Sequence, residues 1–170
     1  MLARVFAAIA LVLLTCCMKQ PPPPDPAIAA HHDIQLLFDR WHRAFEAKDV
    51  NGVMSVYAPG VTLVAYDVVP PLQYKGAAAY RRDYAQLFAQ FDGPLHVEYP
   101  DMRIEVGAST AFAYGLERLT GKLKDGTPVD LWLRYTEGLK HINGRWLIVH
   151  EHISVPVDMA TGKARMDLKP

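Results

Sequence analysis

At 170 residues, with 18 Lys+Arg balanced by 18 Asp+Glu and a formal net charge of zero, the chain has room for one core of ordinary size and lacks the basic excess of a nucleic-acid binder. No Gly-rich phosphate loop, CxxC pair, G-x-S-x-G elbow or internal repeat occurs, so the sequence does not signal phosphate-loop, dithiol or serine-hydrolase chemistry. Both cysteines, Cys16 and Cys17, sit near the amino terminus; whatever folds beyond them holds no disulfide and is stabilised by packing.

Residues 1–17 read as a secretory signal. A short basic lead ending at Arg4 precedes an apolar run, residues 5–14, too short to span a bilayer but suited to export. The run ends Leu14-Thr15-Cys16-Cys17, which resembles the lipobox of bacterial lipoproteins. That resemblance implies lipidation of Cys17, although Cys16 stands where a Gly, Ala or Ser is usual; plain cleavage and release is the alternative. The expectation is an exported, periplasmic protein that meets the membrane only through a lipid anchor. Residues 18–30, with Pro21-Pro22-Pro23-Pro24-Asp25-Pro26, read as an extended, semi-rigid linker. One domain follows over residues 31–156, and residues 157–170 form a tail without clear period, an arm on the domain or loose.

Within the domain, Asp33 is placed to cap a first helix running to Lys48, whose stripe is Ile34, Leu37, Phe38, Trp41, Ala44 and Phe45. Asp49 caps a short second helix stopped by Pro59-Gly60. Residues 61–66 form a strand and residues 67–75 a loop. Gly76 opens a third helix with the stripe Tyr80, Tyr84, Leu87, Phe88 and Phe91, closed by Asp92-Gly93-Pro94. From Leu95 to Ser154 the pattern is strand-like, in about four segments.

Two hairpin signals set the expected register of the last strands. Asn143-Gly144 suits a type I′ turn pairing Ile142 with Arg145, and Gly138 suggests a bulge. With the extra residue at Gly138, Thr136 faces His150 and Arg134 faces His152. Asp125-Gly126 suggests a second two-residue turn pairing Lys124 with Thr127, which sets Glu117 opposite Arg134. Trp132, Arg134, His150 and His152 then line one cavity beneath the helices, with Glu117 beside Arg134 as its anionic partner or as an ordinary cross-strand ion pair. Leu131, Leu133, Tyr135, Leu147, Val149 and Ile153 would form an apolar outer face, to be covered by a second copy in a homodimer.

Helices followed by a run of antiparallel strands is an α+β order. Trp41 with Ala44-Phe45 and Lys48-Asp49, Tyr57-Ala58, Gly76, and the string Trp132, Arg134, Thr136, Lys140, Gly144, Trp146, Ile148, His150-Glu151-His152, Ser154 and Pro156 resemble the nuclear transport factor 2-like superfamily, within it the SnoaL-like, ketosteroid-isomerase-like branch. The resemblance covers residues 31–156. It implies a cone-shaped domain with three N-terminal helices packed in the concave face of a curved, mostly antiparallel sheet. It also implies a general base at Asp67, nine residues before Gly76 as in the steroid isomerases. Their oxyanion-hole tyrosine is replaced by Trp41, and no carboxylic acid falls where their second donor would be, which argues against steroid isomerisation by that mechanism.

Two functions follow. In the first, an isomerase, lyase or cyclase acts on a small apolar molecule with a carbonyl or carboxylate. Asp67 abstracts a proton, His150 or His152 shuttles it, and Arg134 or Trp132 holds the charge. Trp41 and Tyr57, with Tyr80, Tyr84 and Phe88, would wall the ligand pocket. In the second, the same pocket binds or assembles without turnover. No cofactor is expected, and His150-x-His152 supplies two ligands where a metal needs more.

Overall fold

The computed structural model describes residues 25–170; the expected signal and Cys17 lie outside them. The first helix, α1, spans Pro26–Glu46, beginning earlier than expected because Asp25 accepts the Ala27 N–H (2.9 Å) as N-cap and Pro26 occupies a first-turn position where its missing N–H costs nothing. Residues 26–30, expected in the linker, are therefore helical. Ile34, Leu37, Phe38, Trp41 and Phe45 are its buried stripe. A short helix, α2 (Val50–Met54), is capped by Asp49 as anticipated. Two brief strands follow, β1 (Val64–Tyr66) and β2 (Tyr74–Lys75).

Gly76 then turns the chain into α3 (Ala77–Gln90) at φ 85°, where a Cβ would also lie 3.1 Å from the Gly60 carbonyl. That carbonyl accepts the Ala77 N–H at 2.8 Å, which ties the start of α3 to the end of the second-helix turn. Expected to close at Asp92-Gly93-Pro94, the helix instead passes at Phe91 directly into β3 (Phe91–Glu98), and Gly93-Pro94 are absorbed in a bulge between Asp92 and Leu95.

Four more long or edge strands complete the sheet: β4 (Arg103–Val106), β5 (Thr110–Leu123), β6 (Pro128–Ile142) and β7 (Arg145–Ser154). The order is β2-β1-β7-β6-β5-β3, with β4 also on β5; only β1 and β7 run parallel. The helices cover one face, and the core lies between. Beyond β7 the tail is an arm carrying a two-stranded ribbon, β8 (Val157–Asp158) and β9 (Lys163–Ala164), and Lys169 Nζ reaches Asp130 at 2.5 Å.

The register of β5 on β6 departs from expectation by one residue. Leu123 donates to the Thr127 carbonyl at 2.8 Å, so the loop is the three-residue Lys124-Asp125-Gly126, with Gly126 at φ 92°, rather than a two-residue turn. Glu117 accordingly pairs with Leu133, and Arg134 with Leu116. The Asn143-Gly144 turn pairs Ile142 with Arg145 as anticipated, and the bulge falls at the Gly138/Leu139 step. The extra residue, however, is Val149 on β7: Leu139 faces Ile148, and Gly138 faces His150. Thr136 therefore faces His152 and Arg134 faces Ser154.

The shift of β5 on β6 parts Glu117 from Arg134, and the packing of the helices decides which face is which. Trp132, Arg134, His150 and His152 do share a face, but it is the convex one, away from the helices. Leu131, Leu133, Tyr135 and Ile153, expected outside, point into the concave side along with Glu137 and Glu151. Four of the six residues expected to meet a second copy, Leu131, Leu133, Tyr135 and Ile153, thus lie on the side of the same chain's helices.

Candidate functional site

A cavity of about 400 Å³ lies between α1, α3 and the concave sheet face. Its helix side presents Trp41, Phe45, Tyr80 and Tyr84, its mouth Asp67 at the exit of β1, and its floor Glu117 from β5, Glu137 from β6 and Glu151 from β7. Each glutamate sits on the inward-facing period of a strand that otherwise carries Leu119, Leu131, Leu133 and Ile153. No Lys, Arg or His side chain lines the cavity among the described residues. Met166 from the tail reaches its rim.

Glu137 and Glu151 are direct cross-strand partners, 5% and 2% exposed. Two like charges so placed repel, and burial penalises both, so the pair holds a proton between them. The surrounding hydroxyls decide where it sits. Tyr57 donates to Glu151 Oε2 and Tyr80 to Oε1. Tyr57 Oη in turn accepts from Tyr84 (2.7 Å), whose hydrogen is the one left for that contact, and from Trp41 Nε1–H (3.2 Å). Burial raises the Glu151 carboxyl above the ordinary range, and the bonds from Glu137, Tyr57 and Tyr80 oppose only part of that rise. Burial and the neighbouring Glu151 charge push Glu137 well above the carboxylate range, and nothing opposes them. Glu151 is therefore the anion, held by two phenols and a carboxylic acid, and Glu137 the acid.

Three further carboxyls line the cavity, of which Asp83 accepts from Tyr74 Oη–H (2.7 Å) on the α3 side. Burial, with Glu151 and Asp67 nearby, pushes Glu117 up to about 8. Burial, then Glu151 and Asp83, raise Asp67 to about 6, against the opposing N–H bonds of Val68 and Val69. At neutral pH the cavity thus combines ionised carboxylates, Asp67 at its mouth and the phenol-held Glu151 on its floor, with the neutral carboxylic acids of Glu117 and Glu137. Tyr80 Oη lies 3.4 Å from Asp67 Oδ2, which connects mouth to floor. This arrangement can accept a proton at one place and donate hydrogen bonds at another.

Of the residues expected here, Asp67, Trp41, Tyr57 and Glu117 are brought together and Trp132, Arg134, His150 and His152 are not. Trp132 packs beneath Arg118 on the convex face, 5.7 Å from its guanidinium carbon, and Arg118 forks onto Asp130 at 2.9 and 3.3 Å. Arg134 is exposed. His150 donates through Nδ1–H to the Val64 carbonyl (2.9 Å), and both histidines stack edge-on to Tyr66. Arg134, His150 and His152 lie together on the convex face, so neither a histidine shuttle nor an Arg134 clamp reaches the cavity. The residues missed are Glu137 and Glu151, together with the hydrogen-bonding role of Tyr80 and Tyr84. Their signal was present: a carboxylate on the same period as leucines and an isoleucine is the mark of a buried polar group.

The SnoaL-like domain family matches residues 34–158. A nuclear transport factor 2-like protein of unknown function from Pseudomonas putida KT2440 is 33% identical, over 84% of this chain and 98% of that one, with a TM-score of 0.76. A nuclear transport factor 2-like superfamily protein from Salmonella enterica serovar Typhimurium is 17% identical over 81% and 99% of the two chains, TM-score 0.70. A candidate dehydratase of the same fold from Streptomyces avermitilis is 15% identical over 78% and 99%, TM-score 0.68. These last two likenesses concern the fold alone, and no curated protein matches the chain. With the helices seated in the concave face of an open, mostly antiparallel sheet and the family match spanning nearly all of that unit, the chain belongs to the SnoaL-like domain family of the nuclear transport factor 2-like superfamily.

Proposed function

We propose that the cavity carries out acid–base chemistry of the isomerase or lyase kind on a small molecule with a carbonyl group. The observation that carries this reading is the separation of acidities within one enclosure: Asp67 near 6, Glu117 near 8 and Glu137 well above the carboxylate range. Asp67 takes a proton from carbon next to the carbonyl, and a neutral carboxyl, Glu117 or Glu137, donates to the oxygen as charge develops there. Tyr57, Tyr80 and Glu151 position these groups rather than react. Membership in the SnoaL-like family and a neighbour named as a candidate dehydratase are consistent with this chemistry. A carboxylate substrate is disfavoured, because Arg134 faces away and the lining offers no cation.

The competing reading, a module that binds or assembles without turnover, fits a cone filled by Trp41, Phe45 and Trp132. Trp132 is outside, and the space beneath Trp41 is open. In the same proposal the domain is exported and held at the cell envelope through Cys17, a reading that rests on the basic lead, the apolar run and the proline spacer. The test of the chemistry is deuterium uptake α to the carbonyl of cyclohexanone and phenylacetone in D2O, followed by proton NMR. The native protein is expected to accelerate exchange, and Asp67→Asn to reduce the acceleration by about 10²-fold or more. Equal exchange by the variant would remove Asp67 as the base.

A further inference from the structure

The cavity holds an imbalance that the acid–base reading does not use. Apart from the acid protons of Glu117 and Glu137 and the amides of Gln86 and Gln90, its hydrogens are already committed: Tyr57 and Tyr80 both donate to Glu151, the Tyr84 and Trp41 hydrogens go to the Tyr57 oxygen, and Tyr99 bonds the Glu117 carboxyl. Glu137 stands apart. It is 5% exposed and lines the cavity, and among the described residues no hydrogen-bond donor reaches its Oε2. A buried acceptor without a donor is unfavourable, and an anion at Glu151 without any cation nearby is more so. One kind of ligand group corrects both. A protonated amine carries three donors and a positive charge in a compact head.

The walls fit the same group. Trp41, Tyr84 and Tyr99 present aromatic surface to the space in front of the glutamates, the surface that attracts ammonium ions through the negative face of the ring. Leu131 and Leu133 provide the apolar remainder. We infer that the ligand of this cavity carries a basic nitrogen, seated as an ammonium against Glu137 and Glu151 between aromatic walls, with an apolar body along the leucines. This deepens the preceding proposal and rests on the same cavity, adding the class of substrate that the chemistry acts on.

Three probes of one shape and different charge test the inference on the full-length chain, with affinity read by calorimetry: phenethylamine, 2-phenylethanol and phenylacetate. Phenethylamine is expected to bind about tenfold or more tighter than the alcohol, a difference of about 1.4 kcal/mol, with phenylacetate weakest. Glu137→Gln, which removes the free acceptor but leaves the Glu151 charge, is expected to cut the amine's advantage over the alcohol by about threefold, since the amide keeps the shape but presents donors of its own. An alcohol bound as tightly as the amine, or an unchanged amine preference in the variant, overturns the inference. If no amine preference is found while the ketone exchange remains dependent on Asp67, the nitrogen is lost and the acid–base reading stands. An amine preference without exchange supports the nitrogen and removes the chemistry.

Discussion

Replacing Glu151 by alanine is expected to destabilise the fold by roughly 2–6 kcal/mol, because it strands two buried phenols at about 1–3 kcal/mol each. Tyr57 and Tyr80 both donate to this one carboxylate, and Tyr57 is in turn the acceptor for Tyr84 and Trp41. The glutamate is therefore the terminus of a chain that links α1, the turn after α2, α3 and β7. Glu151→Gln retains one acceptor oxygen and is expected to lose about half as much, with urea midpoints providing the comparison. The leucines around it would tolerate an apolar replacement sterically, so an alanine variant as stable as the native protein would show that the phenols find other partners and that the network does not hold the helices to the sheet.

The second large effect concerns pH. For Glu117 the folded value is about 8 against an ordinary 4.5, so between these limits the folded chain binds a proton that the unfolded chain has released. Stability from this group is present below about 4.5 and is lost as pH rises through the folded value, at up to about 1.4 kcal/mol per pH unit. Asp67, raised from 3.8 to about 6, acts in the same direction over a lower and narrower window. The exposed acids Asp125, Asp130 and Asp167 are shifted downward by their own partners and lose stability only at lower pH. Maximum stability is thus expected near or below pH 4, with a decline of several kcal/mol by pH 8. Glu117→Gln is expected to flatten that decline and to be more stable than the native chain at pH 8. A native curve that is level from pH 5 to 8 would mean that Glu117 is ionised in the fold.

Much of the architecture was legible because period and capping act locally. The stripe from Ile34 to Phe45, the Asp49 cap, the Gly76 opening and the Asn143-Gly144 turn are each fixed by a few neighbouring residues, and each stands in the structure. The site was legible only in part, because it depends on register, which a single residue inverts. Asp125-Gly126 fits a two-residue turn and the last two positions of a three-residue loop equally well, and the protein uses the latter. Gly138 marked the bulge correctly but not the strand that carries the extra residue; Val149 does. Glu137 shares its strand period with Leu131 and Leu133, the face expected outside. What distinguishes it is the second carboxylate, Glu151, directly across from it, together with tyrosines contributed by helices far away in sequence.

The account turns on whether carboxylic acids in this enclosure keep their protons at neutral pH. Selective carbon-13 labelling of glutamate side chains and a titration of the carboxyl resonances from pH 4 to 10, with Glu117→Gln and Glu137→Gln for assignment, measures that directly. Two resonances are expected to titrate above 7, one of them near 8 for Glu117, while the surface glutamates finish below 5.5 or so. If every glutamate is fully ionised by pH 6, the cavity is an ordinary hydrated acidic pocket, and neither the proton chemistry nor the shared proton of Glu137 and Glu151 survives.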